Sequence, residues 1–224
     1  MKTSDNMKEV IPTIVPNSFD EISSFVSAYP FASSIHLDAA DGAFAPNITW
    51  MPEEGEMLPN ADSLFYEAHL MVSEPASVGL RYAHAGAKRI IAHIEAFTHP
   101  ADVPHAVAAW KAAGADEVGL AITIDTPLED LTPYVPLLDC LLIMTIAKIG
   151  TQGNIFDVRG IERLETLHGR FPGLILQADG GITEENAADV ARAGATRLCV
   201  GSALSHAENP AAVYKHLGSL IHGI

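Results

Sequence analysis

Four residues whose types could do chemistry together lie far apart along the chain: His36, Asp38, His69 and Asp179. His36 and Asp38 stand two residues apart in S-S-I-H-L-D (33–38), a strand-like run that breaks at Asp41-Gly42 and Pro46-Asn47 into a long loop. Side chains two apart on a strand share a face, so an imidazole and a carboxylate lie side by side. Burying such a pair is costly unless it binds a metal ion, meets a charge or does acid–base work. His69 lies in a second apolar run, F-Y-E-A-H-L-M-V, and Asp179 ends a third, L-I-L-Q-A-D. Brought together, two imidazoles and two carboxylates would surround one divalent ion. Mixed nitrogen and oxygen donors suit zinc, iron, manganese or cobalt better than calcium or magnesium, and donors alone do not choose among the four.

Those side chains need a scaffold that gathers strand ends. A first strand, Val10 to Val15, contains Pro12, which is acceptable near a strand's start or margin and awkward in mid-sheet. After it, Asn17 or Ser18 caps a helix carrying Phe19, Ile22, Phe25 and Val26 on one face. Ser73-Glu74-Pro75 opens a helix that closes at Gly86, directly before the strand R-I-I-A-H-I. The same junction recurs at Gly114 before E-V-G-L-A-I-T-I and at Gly194 before R-L-C-V-G-S. A glycine just past a helix takes the left-handed cap conformation, so three such junctions predict repeated α/β units. Further helices are expected from Thr126 to Leu137, from Val158 to Phe171, from Thr183 and from Asn209 through Leu220, with a strand from Cys140 to Ile146. Eight near-continuously apolar strands with helices between them predict a closed parallel (β/α)8 TIM barrel. An open doubly wound sheet has less support, because no G-x-G-x-x-G follows the first strand. No linker or composition shift divides the chain, and residues 1–224 are expected to form a single barrel domain. In such a barrel, strand C-terminal ends meet on one face, where His36, Asp38, His69 and Asp179 would converge.

The composition excludes some partners. The 224 residues hold 13 Lys plus Arg against 28 Asp plus Glu, a formal charge of -15, which leaves no basic footprint for nucleic acid or an anionic membrane. The first ten residues lack the apolar core of a signal peptide and no run is long enough to span a bilayer, so a cytoplasmic protein is expected. Cys140 and Cys199 lie in apolar runs and are expected to be small buried hydrophobes. An anionic substrate would need local compensation. Asp179-Gly180-Gly181 and Gly201-Ser202 follow the seventh and eighth strands, where many barrels hold phosphate on backbone N–H groups.

Taken in order, His36-Leu37-Asp38-Ala39-Ala40-Asp41-Gly42 with Phe44 and Pro46-Asn47, then Ala68 to Val72, Leu142-Ile143-Met144, Asp179-Gly180-Gly181 and Gly201-Ser202, resemble the ribulose-phosphate 3-epimerase family. The resemblance implies a metal-dependent isomerase that inverts C3 of a ketose phosphate, ribulose 5-phosphate first among them, as part of the pentose phosphate pathway. It implies that His36, Asp38, His69 and Asp179 hold one divalent metal ion. It also makes Asp38 and Asp179 the acid–base pair on opposite faces of an enediolate. Thr13, His69, Met71, Met144, Gly180, Gly181, Gly201 and Ser202 would contact the substrate or its phosphate. Removing a proton beside a ketone builds negative charge that a cation stabilises, so no redox cofactor is required. Partners are limited to the small phosphorylated ketose, with association of copies of the chain left open.

Departures from the family pattern mark a divergent member. Thr13 replaces a serine and keeps the hydroxyl. Ala40 replaces a methionine, which is expected to open space beside the reacting carbons. Ala147 to Gly153 replaces a glycine-richer loop that covers the substrate, and its Lys148 either meets the anion or is a solvated loop charge. These changes keep open a hexulose 6-phosphate as substrate. A non-catalytic sugar-phosphate-binding barrel is the competing class, though binding alone does not need two opposed carboxylates. A decarboxylase is disfavoured because D-x-K-x-x-D is absent after the third strand. His93 and Glu95 are expected to pack or to support the site from outside it, and His99, His105, His206, His216 and His222 to be surface groups.

Overall fold

The computed structural model describes residues 8–222. Its strands are the apolar runs: β1 (Glu9–Ile14), β2 (Ser34–Ala40), β3 (Phe65–Met71), β4 (Arg89–His93), β5 (Glu117–Ile122), β6 (Cys140–Met144), β7 (Ile175–Asp179) and β8 (Arg197–Val200). Each pairs in parallel with its neighbour in sequence, and β8 returns to β1, closing the barrel. Closure covers both faces of every strand, which is why the runs are apolar throughout: β2, β4 and β6 are buried along their whole length. Pro12 is tolerated in this edgeless sheet because β1 pairs with β8 over Glu9 to Pro12 and with β2 only at Thr13 and Ile14. The strand changes partner at the residue that lacks an N–H.

The helices are α1 (Phe19–Ala28), α2 (Pro75–His84), α3 (Asp102–Ala112), α4 (Arg159–Arg170), α5 (Ala187–Arg192), α6 (Ser202–Ser205) and α7 (Pro210–His222). Local chemistry starts them where expected. Ser18 Oγ accepts the Glu21 N–H at 3.2 Å while the Glu21 carboxylate accepts the Asn17 N–H at 2.8 Å, a reciprocal cap for α1. Pro75 begins α2, where its missing N–H costs nothing. Gly86, Gly114 and Gly194 all take left-handed φ, at 99°, 108° and 109°, and turn α2, α3 and α5 into the next strands.

Two crossovers depart from the ideal repeat among the described residues. The expected helix over 126–137 is absent; two short 3₁₀ turns, Leu128–Asp130 and Val135–Leu137, replace it. Pro133 and Pro136 remove the N–H groups an α-helix would need there. Between β2 and β3 the chain forms a long loop, tied down by Asp41, whose carboxylate accepts N–H groups of Ala43 and Phe44 at 2.9 Å and of Ser73 at 2.6 Å. α5 begins at Ala187, later than Thr183, after a turn in which Asn186 Oδ1 accepts the Thr183 N–H.

Inside the barrel, the N-terminal strand ends carry charge. Arg89 donates to Glu67 and, at 2.8 Å, to Glu117, which also accepts from Arg197 at 2.7 Å. The Arg89 side chain is 3% exposed and that of Glu67 fully covered, so each charge depends on its partner.

Candidate active site

The barrel brings all four chemistry-bearing side chains to one place. His36 Nε2 lies 3.2 Å from Asp38 Oδ1 and 3.3 Å from His69 Nδ1; His69 Nδ1 lies 2.9 Å from Asp38 Oδ1 and 3.5 Å from Asp179 Oδ2. One donor atom from each of the four falls within 4.8 Å of the others. The cause is register: Asp38 pairs with His69 across β2 and β3, and Asp179 stands at the C-terminal end of β7. Two nitrogens and two oxygens so closely gathered fit a divalent ion of the zinc, iron, manganese or cobalt type.

The imidazoles are aimed from behind. His36 Nδ1 meets the carboxylate of Glu67, which also accepts from Arg89 and Gln177. An acceptor-only carboxylate fixes a proton on Nδ1, the usual arrangement behind a metal-ligating histidine, so that Nε2, which faces Asp38, is the nitrogen an ion would take. His69 turns its other nitrogen, Nε2, to His93. Cys199 Sγ lies 3.2 Å from His36 Nδ1 and accepts from Gln177 at 2.9 Å, so this thiol is part of the polar interior and not simply a small hydrophobe. Burial pushes it up to about 12, which keeps it protonated.

Electrostatics separates the two aspartates. Burial pushes the Asp38 carboxyl upward, but the His36 charge and hydrogen bonds from His36 and His69 more than offset this and hold it well below the usual carboxylate range. Asp179 is raised from 3.8 to about 6, by burial first and then by the charge on Asp38. With no ion in the group, one carboxylate is thus held ionised to low pH and the other takes up its proton at about 6.

Above the two aspartates is a small cavity of about 40 Å³, lined by Thr13, Met71, Met144, Gly180, Gly181, Gly201 and Ser202 among others. His36 and His69 are fully buried beneath it. The loop from Ala147 to Gly153 closes over one side: Gln152 Nε2 donates to the Thr13 carbonyl at 3.0 Å and packs on Gly201. Lys148 is exposed, and the lining begins at Gly150. Ala40 is fully buried with Ala45 and Met71, and Phe44 together with Ile149 of the altered loop covers the cluster.

Period two could have found the supports that the motif reading passed over. Glu67 is two residues before His69 and Gln177 two before Asp179, so both face inward beneath the group. His93 lies outside the group against His69, and Glu95 lies against His93. The five histidines expected at the surface, His99, His105, His206, His216 and His222, are all exposed.

The family model described as Ribulose-phosphate 3 epimerase family matches residues 9–205. The chain belongs to the ribulose-phosphate 3-epimerase family. A member named ribulose-phosphate 3-epimerase from Aquifex aeolicus is 34% identical over 194 residues, covering 85% of each chain. One from Schizosaccharomyces pombe is 31% identical over 186 residues, 82% of this chain and 79% of the relative. Among solved structures, KGPDC from Streptococcus mutans superposes with a TM-score of 0.74 at 10% identity over 98% of this chain and 99% of that one. The 3-hexulose-6-phosphate synthase from Salmonella typhimurium does so at 0.68 and 16%, over 96% and 98%. At those identities the structural likeness speaks for the (β/α)8 barrel alone, while the epimerase family rests on the sequence matches.

Proposed function

We propose that this ribulose-phosphate 3-epimerase family member interconverts D-ribulose 5-phosphate and D-xylulose 5-phosphate by proton transfer between Asp38, Asp179 and C3 of the substrate. The observation that carries the reading is the pair of aspartates lining one cavity and held beside His36 and His69. Inversion at C3 needs a proton removed from one face and another delivered to the opposite face. One aspartate accepts the proton from its face while the other delivers one to the opposite face, and the roles exchange in the reverse direction. Held by His36, Asp38, His69 and Asp179, a divalent ion supplies electrostatic stabilisation for the charge that develops on the enediolate.

The remaining lining positions the sugar. Met71 and Met144 form an apolar wall that keeps water from the reacting carbons, and Thr13 offers a hydroxyl. Backbone N–H groups around Gly180, Gly181, Gly201 and Ser202 suit the phosphate without a lysine, in keeping with the acidic composition. The covered position of Ala40 favours a five-carbon ketose over a hexulose 6-phosphate. No helix among the described residues is long and apolar enough to cross a membrane, and a cytoplasmic setting fits an enzyme of free sugar phosphates.

The test is turnover of ribulose 5-phosphate in a coupled assay, with and without a chelator. Activity lost to the chelator and restored by a divalent ion is expected, with Asp179→Asn lowering kcat by roughly 10²- to 10⁴-fold while the protein stays folded. Undiminished turnover in Asp179→Asn would remove that residue from the chemistry, and no turnover with any divalent ion would leave a binding barrel.

A further inference from the structure

The nitrogen of His69 that faces away from the four-residue group does not meet solvent or a carbonyl. It meets His93: the two Nε2 atoms are 3.0 Å apart. The ring centroids are 5.0 Å apart with 28° between the planes, so the imidazoles touch end to end and not face to face. His93 is fully buried and its Nδ1 lies 3.1 Å from Glu95 Oε2. The other oxygen of Glu95 accepts the Thr123 N–H at 2.8 Å and the Thr126 hydroxyl, which anchors the carboxylate to the segment following β5.

Hydrogen-bond direction can be read inward from that end. An ionised carboxylate only accepts, so His93 Nδ1 donates to it. A neutral His93 then has Nε2 as its acceptor, and His69 must place its proton on Nε2 to fill the contact. The His69 nitrogen whose proton a divalent ion would displace is then Nδ1, the atom 2.9 Å from Asp38. We propose that Glu95 and His93 are positioning residues: a carboxylate–imidazole relay that selects the tautomer of His69 and thereby its ability to ligate a divalent ion. The relay rests on the metal-dependent reading above, and it gives His69 through one extra imidazole what Glu67 gives His36 directly. A second imidazole in the chain lets the anchoring carboxylate sit at the barrel rim, its side chain 24% exposed, where fixing it costs less desolvation than a second carboxylate beside Asp38 and Asp179.

The experiment uses the full chain stripped of metal, titrated with zinc, alongside nitrogen-15 NMR of the histidine rings, for wild type, His93→Leu, His93→Gln and Glu95→Gln. Wild type should show His69 protonated on Nε2 before zinc is added. His93→Leu, which keeps bulk and removes the acceptor, should mix the two tautomers and weaken zinc binding by about 10- to 100-fold. His93→Gln, whose amide oxygen can stand where Nε2 stands, should restore most of both. A wild-type His69 protonated on Nδ1 and bare on Nε2 overturns the relay whether or not any variant folds. So does zinc affinity unchanged in His93→Leu, or equal loss in the Leu and Gln variants. Epimerase turnover is measured separately on wild type: its absence together with His93-dependent zinc binding would sink the substrate assignment and leave the relay standing.

Discussion

Asp38 and Asp179 are the same residue type at the ends of two strands of one barrel, and their surroundings make them opposites. Asp38 accepts from two imidazoles; Asp179 has the charge of Asp38 as its neighbour. The difference is testable through stability. In the metal-free protein the folded-state affinity of Asp179 for its proton, about 6, exceeds the ordinary 3.8, so the native state binds more protons than the unfolded one between those values. The stability this proton contributes is fully present below about pH 4 and lost as pH rises through about 6. Metal-free Asp179→Asn should therefore melt above metal-free wild type at pH 8, by roughly 5 °C, with the gap closing below pH 4. Thermal scans across that range check it, and a gap independent of pH would mean that Asp179 is not strained by its neighbours. At this scale much was legible: His36, Asp38, His69 and Asp179 announced themselves by type and by their places on apolar runs. What was not legible was which carboxylate keeps its proton, because that depends on neighbours from other strands.

At the scale of elements, strand register and loop contact decide. Gly181 has φ 66°, and a Cβ there would come within 2.6 Å of the Phe156 backbone nitrogen. The turn after β7 and the segment leading to α4 meet so closely that only glycine fits. Gly181→Ala should cost about 1–3 kcal/mol of stability and, by displacing the turn assigned to phosphate, raise KM more than it lowers kcat. A normal KM in a folded variant would take the phosphate away from this turn. Below the site, Arg89 ties β3 to β5 by pairing with both Glu67 and Glu117. Arg89→Met would leave Glu67 buried without its guanidinium partner, a loss of about 3–5 kcal/mol that denaturant unfolding would register. A loss under 1 kcal/mol would show that Glu67 is held by Gln177 and His36 alone. The helix wrongly expected over 126–137 also belongs here. Its apolar spacing suited a helix, but Pro133 and Pro136 allowed only 3₁₀ turns, and β5 and β6 pair all the same because closure of the sheet holds them.

Across the whole molecule the charge of -15 surrounds a site assigned to an anion. Steering should therefore oppose substrate entry: kcat/KM for the ketose phosphate is expected to rise about two- to threefold between low and physiological ionic strength as the repulsion is screened. A fall with salt would instead point to local attraction, with the exposed Lys148 the first residue to replace. The barrel itself was determined by sequence, since apolar strands buried on both faces and three helix–glycine–strand junctions are local signals that survive any rearrangement of the rest. So was the family, because its motifs recur in order along the chain. Only the tertiary structure decided that Ile149 and Phe44 cover Ala40, that Cys199 lies against His36, and that Glu95 reaches His69 through His93. The reason is common to all three: closing eight strands sets side chains distant in sequence within hydrogen-bond or packing range, and no spacing along the chain records which of them will meet.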